Sequence, residues 1–232
     1  MASTIKKNLR NLRSTLEGLR FLRPASFGLN GLDRKLLKYI AKRNGVFVEA
    51  GANNGLRQSN TAYLEFYLGW TGLLVEPIPE LAVECRKNRP ESSVEQFALV
   101  SAGVSPKTVL MTYCNLMSIV EGARGTPALD AEHVEKGTKF LKPNDQPRTA
   151  HVPTATLSEL LEKHKITDID ILSLDVEGYE EQALLGLDFE NHAPNWILVE
   201  ANNPTKMEQL LGARYELIAR LSHHDQLWRR KS

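Results

Sequence analysis

The feature that most constrains this fold is a series of short, nearly all-apolar segments that alternate with helical ones. Strands are predicted at Val46–Val48, Gly72–Val75 and Val94–Val100, with helices between them at Ser59–Leu68 and Pro79–Arg89. Because these strands do not alternate polar and apolar residues, both of their faces are expected to be buried. This pattern is typical of an α/β fold in which a parallel sheet carries helices on each side.

Residues 103–150 interrupt the alternation, which then resumes. The interruption is rich in glycine, proline and charge, with a strand predicted at Thr108–Tyr113 and a short helix near Asp130–Lys139. We interpret it as an insertion over the functional edge of the sheet, and a mobile loop without function is the alternative. Beyond it, two helices are predicted to begin with capping boxes, at Thr156 with Glu159 and at Thr205 with Glu208. A third helix is predicted at Glu180–Leu187 and strands at Ile169–Val176 and Trp196–Val199. The chain is then expected to form a hairpin of Tyr215–Leu221 and Leu227–Arg230.

Length and composition bound the class of protein. The chain has 232 residues, which suits a basic N-terminal segment and linker over residues 1–30 followed by one domain over residues 31–232. A formal net charge of +1 gives no global reason to expect a nucleic-acid partner. Two cysteines without a Cys-x-x-Cys pair favour neither a disulfide framework nor a zinc site, so we expect a cytoplasmic protein.

Residues 1–23 hold six basic side chains and one acid, and their leucines recur at helical spacing. Three interpretations compete for this basic amphipathic helix. It packs on the domain or on a partner subunit, which we favour; it lies on a membrane surface; or it is an organelle-targeting peptide.

A glycine turn after the first strand is the sharpest chemical signal. In VFVEAGANNG the acid Glu49 precedes Gly51, Asn53 and Gly55. Glycines let the chain turn sharply and let a ligand approach the backbone, as in the nucleotide sites of parallel sheets. The spacing is G-x-x-x-G, without the third glycine of a dinucleotide fingerprint and without a P-loop lysine, so NAD and ATP are weaker candidates. The alternative is a tight turn that binds no ligand.

A second acid strengthens the nucleotide interpretation. Glu76 ends the second predicted strand in GLLVEP, 27 residues after Glu49. A carboxylate at this place can accept hydrogen bonds from both hydroxyls of a ribose, whereas the alternative is a solvated side chain before a proline. An acid before the glycine turn also suits a cationic ligand, such as the methionine part of a sulfonium cofactor.

The runs FVEAGANNG, SNT, YLEFYLGWTGLLVEP, ALVS and IDILSLDVEGYE resemble the FkbM-type methyltransferases over roughly Val46 to Glu200. The resemblance implies a Rossmann-like three-layer sandwich, with a mostly parallel seven-stranded sheet whose last strand is antiparallel and inserted beside the sixth. It also implies S-adenosylmethionine as the cofactor. The residues that would bind it are Glu49, Gly51, Asn53, Gly55, Ser59, Glu76 and, against the adenine, Ala98.

Three acids follow the fourth and fifth predicted strands of the parallel sheet, namely Asp175, Glu177 and Glu200. The carboxyl ends of parallel strands share one edge, so we expect these candidate catalytic residues beside the cofactor. Asp175 or Glu177 would act as a general base or orient the acceptor. In a less favoured alternative, Asp175, Glu200 and Asn202 bind a divalent metal such as Mg²⁺. The alternative to a catalytic role for Glu177 is that it caps the following helix.

The resulting hypothesis is transfer of a methyl group from S-adenosylmethionine to a hydroxyl oxygen of a sugar, glycoconjugate or secondary metabolite. The partner is thus a small-molecule or glycan acceptor. The alternatives are a subunit that binds S-adenosylmethionine without transferring methyl and, more weakly, an NAD-dependent enzyme. Among the histidines, His223 and His224 are conceivable bases at the tip of the terminal hairpin, whereas His133 is expected on the surface.

Overall fold

A computed structural model describes residues 26–40, 42–103 and 107–232 of the protein. The amphipathic helix predicted for residues 1–23 lies outside these ranges. The described chain forms a seven-stranded sheet and a four-stranded sheet. The strands, in chain order, are β1 (Val46–Ala50), β2 (Thr71–Val75), β3 (Ser93–Glu95), β4 (Ala98–Leu99), β5 (Thr108–Tyr113), β6 (Ile119–Val120), β7 (Arg148–Ala155), β8 (Ile171–Leu174), β9 (Trp196–Glu200), β10 (Tyr215–Arg220) and β11 (Asp225–Arg230).

The larger sheet confirms the expected topology. Its strand order is β10-β11-β9-β8-β1-β2-β3. Strands β3, β2, β1, β8 and β9 pair in parallel, and the last strand of the chain, β11, lies antiparallel between β9 and β10. The carboxyl ends of β1, β2, β8 and β9 therefore meet at one edge of the sheet, where open parallel sheets bind their ligands.

Helices cover both faces of this sheet, which makes the domain a three-layer sandwich. One buried cluster joins β-strand residues such as Val48 and Leu172 to the helices at Leu157–His164, Glu180–Leu185 and Pro204–Leu211. The other joins residues such as Phe47 to the remaining helices beside the sheet, which span Leu32–Leu36, Ala62–Leu68 and Pro79–Asn88. Within the described ranges, none of the helices has the length and apolar character that a membrane crossing requires.

The insertion has a structure of its own. Strands β4, β7, β5 and β6 form the second sheet, in that order, and a helix spans Pro127–Gly137. This confirms the strand predicted at Thr108–Tyr113 and places the predicted short helix a few residues earlier. Buried residues of β5, β6 and β7 pack against Ile78 and Leu81 of the core. The interpretation as a mobile loop is therefore wrong for the described part of the insertion.

Two local predictions were wrong. The single third strand predicted at Val94–Val100 is divided, because the chain leaves β2 after Glu95 and resumes pairing with β7 at Ala98. The capping box at Thr156 and Glu159 is present. The one predicted at Thr205 and Glu208 is not, because Asn203 caps that helix by accepting from the Lys206 backbone amide.

A buried ion network fixes the turn that follows β1. The guanidinium of Arg89 is wholly buried and donates to the Glu65 carboxylate at 2.8 Å and to the carbonyl of Gly55 at 2.9 Å. Its Nη1 also lies 3.7 Å from Glu49 Oε2. Burying a charge is costly unless it is paired and hydrogen-bonded, and Arg89 meets both conditions here.

Glu49 completes the network from the end of β1. One of its oxygens accepts from the Asn60 backbone amide at 2.8 Å, and the other accepts from the hydroxyls of Ser59 and Thr61 at 2.8 and 2.6 Å. The acid thereby ties the strand to the loop that leads into the helix at Ala62–Leu68. The residues between Glu49 and Thr61 form a fixed loop rather than a free one.

Replacing Arg89 with methionine should leave Glu49 and Glu65 as unpaired buried charges. We expect a loss of about 3–5 kcal/mol in the free energy of unfolding, measured by urea denaturation. Lys42→Met is the matched control, because it breaks the pair with Asp170 (2.7 Å) in which the lysine side chain is 55% exposed. The control should cost less than about 1 kcal/mol, and an equal loss in both variants would contradict the account.

Candidate functional site

The turn after β1 touches the turn after β8. Gly51 has a φ of +82°, and a Cβ added to it would lie 1.8 Å from the carbonyl oxygen of Asp175. Its backbone amide donates to the Val75 carbonyl at 3.0 Å. Only glycine adopts this conformation without strain, and no side chain fits between the two turns. The glycine therefore joins the ends of three neighbouring strands.

Glu76 fixes the other side of the same turn. Its side chain is 5% exposed, with one oxygen accepting from the Asn53 backbone amide at 2.8 Å and the other from that of Ile78 at 2.9 Å. Burial raises the pKa of Glu76 to about 7, against the opposing effect of these two hydrogen bonds. A carboxylate oxygen can accept a second bond, so Glu76 retains capacity for a ligand hydroxyl.

A cavity of about 600 Å³ opens at this edge of the sheet. Its volume lies in the range of pockets that bind small molecules and cofactors. Seven of the ten residues predicted for the site line it, namely Gly51, Asn53, Glu76, Ala98, Asp175, Glu177 and Glu200. The sequence pattern thus brings together residues from positions 51 to 200, although their individual roles stay predictions.

The other three predicted residues do not line the cavity. Glu49 and Ser59 belong to the buried network around Arg89. A Cβ on Gly55 would lie 2.8 Å from the Arg89 side chain, so this glycine serves packing. Their predicted contact with the cofactor stays untested, and the structure gives each of them a supporting role behind the turn.

The acids at the ends of β8 and β9 lie close together in the cavity lining, with oxygens of Asp175 and Glu200 within 4.8 Å of each other. Asp175 is exposed to the cavity, while the side chains of Glu177 and Glu200 are 19% and 15% exposed. Desolvation by the surrounding protein, followed by the charges of Glu200 and Glu177, raises the pKa of Asp175 well above its usual range. Burial and then Glu200 raise the pKa of Glu177 to about 8, while Arg124 opposes this. His224 also lines the cavity, with Nε2 3.8 Å from Glu200.

The acid cluster differs from the predicted metal ligands. Oxygens of Asp175, Glu180 and Glu200 lie within 4.8 Å of one another, so Glu180 joins two of the predicted ligands, and the third predicted ligand, Asn202, is exposed. Glu180 Oε1 accepts from the backbone amides of Val176 and Gly178, both at 3.0 Å. These bonds give Glu180 a structural function in the turn after β8.

The sequence interpretation placed the insertion over the functional edge but missed which of its residues line the site. His133, expected on the surface, is buried at 8% exposure and lines the cavity. Thr126 accepts from the Leu129 amide as the N-cap, and Pro127 starts the helix. That signal, a threonine before a proline, could have located the helix and placed Leu129 and His133 on one face of it. Other lining residues of the insertion are Asn115, Met117, Arg124, Lys136, Lys139 and Phe140.

The residues present fit S-adenosylmethionine. Phe97, Ala98 and Leu99 offer an apolar wall of the kind that an adenine ring needs, and Glu76 offers a carboxylate of the kind that ribose hydroxyls need. Asp175 and its neighbouring acids suit a sulfonium cation. The Gly51 turn leaves backbone exposed between these two ends, where a side chain would obstruct the ligand.

Comparison with known proteins agrees with this chemistry. A family model described as "Methyltransferase FkbM domain" matches residues 49–229. No curated protein matches the chain. The family match spans both the glycine turn and the acids after β8 and β9.

Several solved structures resemble the chain weakly. The TehB-like SAM-dependent methyltransferase from Corynebacterium glutamicum is 11% identical over 99% of this chain and 97% of that one, with a TM-score of 0.47. Thermoplasma acidophilum 1320 is 10% identical over 94% and 98%, with a TM-score of 0.40. The delta-N METTL16 MTase domain is 10% identical over 96% and 94%, with a TM-score of 0.38. Because each TM-score is below 0.5, these similarities are too weak to indicate a function for this chain.

Substituting Gly51 with alanine should force the two turns apart. We expect Gly51→Ala to abolish binding of S-adenosylhomocysteine in calorimetry. Gly31→Ala is the matched control, since Gly31 has a similar φ of +73° but no atom within 4 Å of an added Cβ. The control should lose about 1–2 kcal/mol of stability from its backbone conformation alone and should bind normally. Unimpaired binding by Gly51→Ala would contradict the described turn.

Proposed function

The chain belongs to the methyltransferase FkbM domain family, and on that premise we propose that it methylates a hydroxyl oxygen of a sugar, glycoconjugate or secondary metabolite. It is an S-adenosylmethionine-dependent methyltransferase, and the acceptor and the atom methylated are what the proposal adds. The observation that carries it is the acid group of Asp175, Glu177 and Glu200, which lines the same cavity as the glycine turn and Glu76.

The bound cofactor supplies a methyl group already activated on a positively charged sulfur. The protein therefore has to hold donor and acceptor in line and exclude water. Gly51 and Asn53 would receive the methionine and ribose portion, Glu76 the ribose hydroxyls and Ala98 the adenine. Leu129 and Phe140 of the insertion add apolar side chains to the cavity lining.

A hydroxyl acceptor must lose its proton as the new carbon–oxygen bond forms. Asp175 and Glu177 are the carboxyls placed to take it, because both line the cavity beside the cofactor turn. A general base works best when its pKa is near the working pH. The pKa of Glu177, about 8, meets this condition, and the pKa of Asp175 is raised well above its usual range.

The acceptor class follows from the chemistry of the cavity wall. Carboxylates accept hydrogen bonds from hydroxyl groups, and several carboxylates together suit a ligand with several hydroxyls. Asp175, Glu177, Glu200 and Glu132 all contribute to the lining. This supports a sugar or another polyhydroxyl compound as the acceptor.

Radiolabelled S-adenosylmethionine offered with an extract of the source cells tests the proposed function directly. We expect label in a small molecule or glycan, as a methyl ether that resists the alkaline hydrolysis by which methyl esters are cleaved. Label on nitrogen or carbon would overturn the O-methylation. Binding of the cofactor without transfer would favour the scaffold alternative.

The same assay decides whether a divalent cation takes part. We expect full transfer in EDTA, because Glu180 is already engaged by two backbone amides. Loss of transfer in EDTA that added Mg²⁺ restores would establish the metal at Asp175, Glu180 and Glu200.

The binding of the nucleoside should depend on the charge of Glu76. Below pH 7 this carboxyl is protonated, and above it the ionised form accepts stronger, charge-assisted hydrogen bonds. The affinity for S-adenosylhomocysteine should therefore rise about tenfold between pH 6 and pH 8. The thioether of S-adenosylhomocysteine carries no charge. The neighbouring acids therefore contribute less to this pH dependence of the affinity than they would with the sulfonium of S-adenosylmethionine.

Calorimetry with Glu76→Gln checks this assignment. The variant should bind about tenfold more weakly at pH 8 and show little pH dependence. The control is Glu80→Gln, which removes an exposed carboxylate that pairs with Arg148 at 2.9 Å. A pH dependence that persists in Glu76→Gln would show that another group controls the affinity.

A further inference from the structure

Two side chains of the insertion converge on one oxygen of Glu177. Arg124 Nη2 donates to Glu177 Oε2 at 3.0 Å, and His133 Nε2 lies 3.3 Å from the same atom. Oε1 makes neither of these contacts. The carboxylate at the functional edge is therefore contacted from across the cavity by residues that lie 44 and 53 positions earlier in the chain.

Glu177, Arg124 and His133 adopt arrangements that cost free energy. Glu177 has a φ of +56°, in the left-handed region that few residues other than glycine adopt. His133 Nε2 and Arg124 Nε are buried and make no hydrogen bond within the described protein. Backbone strain and unsatisfied polar groups persist only where surrounding structure enforces them, and they concentrate at functional sites.

The orientation of the His133 ring is fixed from its other side. The ring hydrogen-bonds the backbone of Met117, and because Nε2 has no such bond, Nδ1 is the nitrogen involved. A carbonyl accepts only from an N–H, so Nδ1 carries a proton. Nε2 is consequently the atom directed to Glu177, where it can accept from a protonated carboxyl or, when protonated, donate to a carboxylate.

The segment that presents these side chains is itself rigid. Asp130 accepts from the backbone amides of Gly122 at 2.6 Å and Arg124 at 3.0 Å, which closes the loop onto the helix. Thr126 caps the start of that helix. The distance from Arg124 and His133 to Glu177 is therefore set by the fold of the insertion.

We propose that His133 is a positioning residue, which together with Arg124 holds Glu177 Oε2 so that Oε1 is aligned with the acceptor hydroxyl. This rests on the proposed function, because it needs an acceptor whose proton Glu177 receives. The insertion is then part of the catalytic machinery and not only a cover. A residue that acts through the polar nitrogen it directs at Glu177, and not by its volume, should be replaceable only by a side chain that reaches the same point.

Three substitutions of His133 separate these roles. Glutamine places a polar atom at the position of Nε2, asparagine reproduces only Nδ1, and leucine fills the space without either. With labelled S-adenosylmethionine and increasing amounts of source-cell extract, we expect the maximal rate to fall about 10- to 100-fold for leucine and asparagine. Glutamine should stay within about threefold of the unchanged protein, and the half-saturating extract concentration should change little in all three.

The matched control is His192→Leu. His192 is also buried, with a ring nitrogen that makes no hydrogen bond within the described protein, but it does not line the cavity. Its substitution should leave the transfer rate unchanged. Calorimetry with S-adenosylhomocysteine and thermal unfolding accompany every variant, and if His133→Leu does not fold, His133→Asn decides.

The outcomes distinguish this inference from the proposed function. If the unchanged protein transfers label and His133→Leu or His133→Asn matches its maximal rate, the positioning role is overturned. A glutamine variant as slow as the leucine variant also overturns it. If the unchanged protein binds S-adenosylhomocysteine but transfers no label to any extract component, the proposed function fails, and this inference fails with it.

Discussion

The close approach of two backbone turns determines the site of this methyltransferase. Gly51 packs against the carbonyl of Asp175 where no Cβ fits, so the turn that receives the cofactor and the turn that carries the acids keep a fixed separation. Behind them, Arg89 and Glu49 bind the following loop from inside the protein. The site is thus built on main-chain contacts and buried charges, which hold geometry more rigidly than exposed loops do.

The cavity has two walls of different origin. The core supplies Gly51, Glu76 and the acids after β8 and β9, while the insertion supplies His133 and Arg124. In the proposed function, binding of the nucleoside needs mainly the first wall, and alignment of an acceptor needs both. This division gives a physical reason for the second sheet, because β5 and β7 anchor the insertion to the core beside the cofactor edge.

Sequence patterns predicted the sheet well because a strand buried on both faces must be apolar, and the order of elements then determines the topology. They also brought Glu76 and Asp175 to one edge. The sequence did not reveal that Glu49 pairs with Arg89, because that partner lies 40 residues away and no local pattern indicates the pair. The same limit concealed the burial of His133, whose neighbour Glu177 lies 44 residues further along the chain. Asn203 caps the last helix instead of Thr205, and because both residue types are good caps, the sequence pattern did not distinguish them.

A crystal structure with S-adenosylhomocysteine is the most direct test of this account. It should show both ribose hydroxyls within hydrogen-bonding distance of the Glu76 carboxylate, the adenine against Ala98, and the amino-acid portion along the Gly51 turn. The sulfur should face the group formed by Asp175 and Glu177. A nucleoside bound elsewhere, or one whose sulfur points away from these acids, would contradict the assignment of the site.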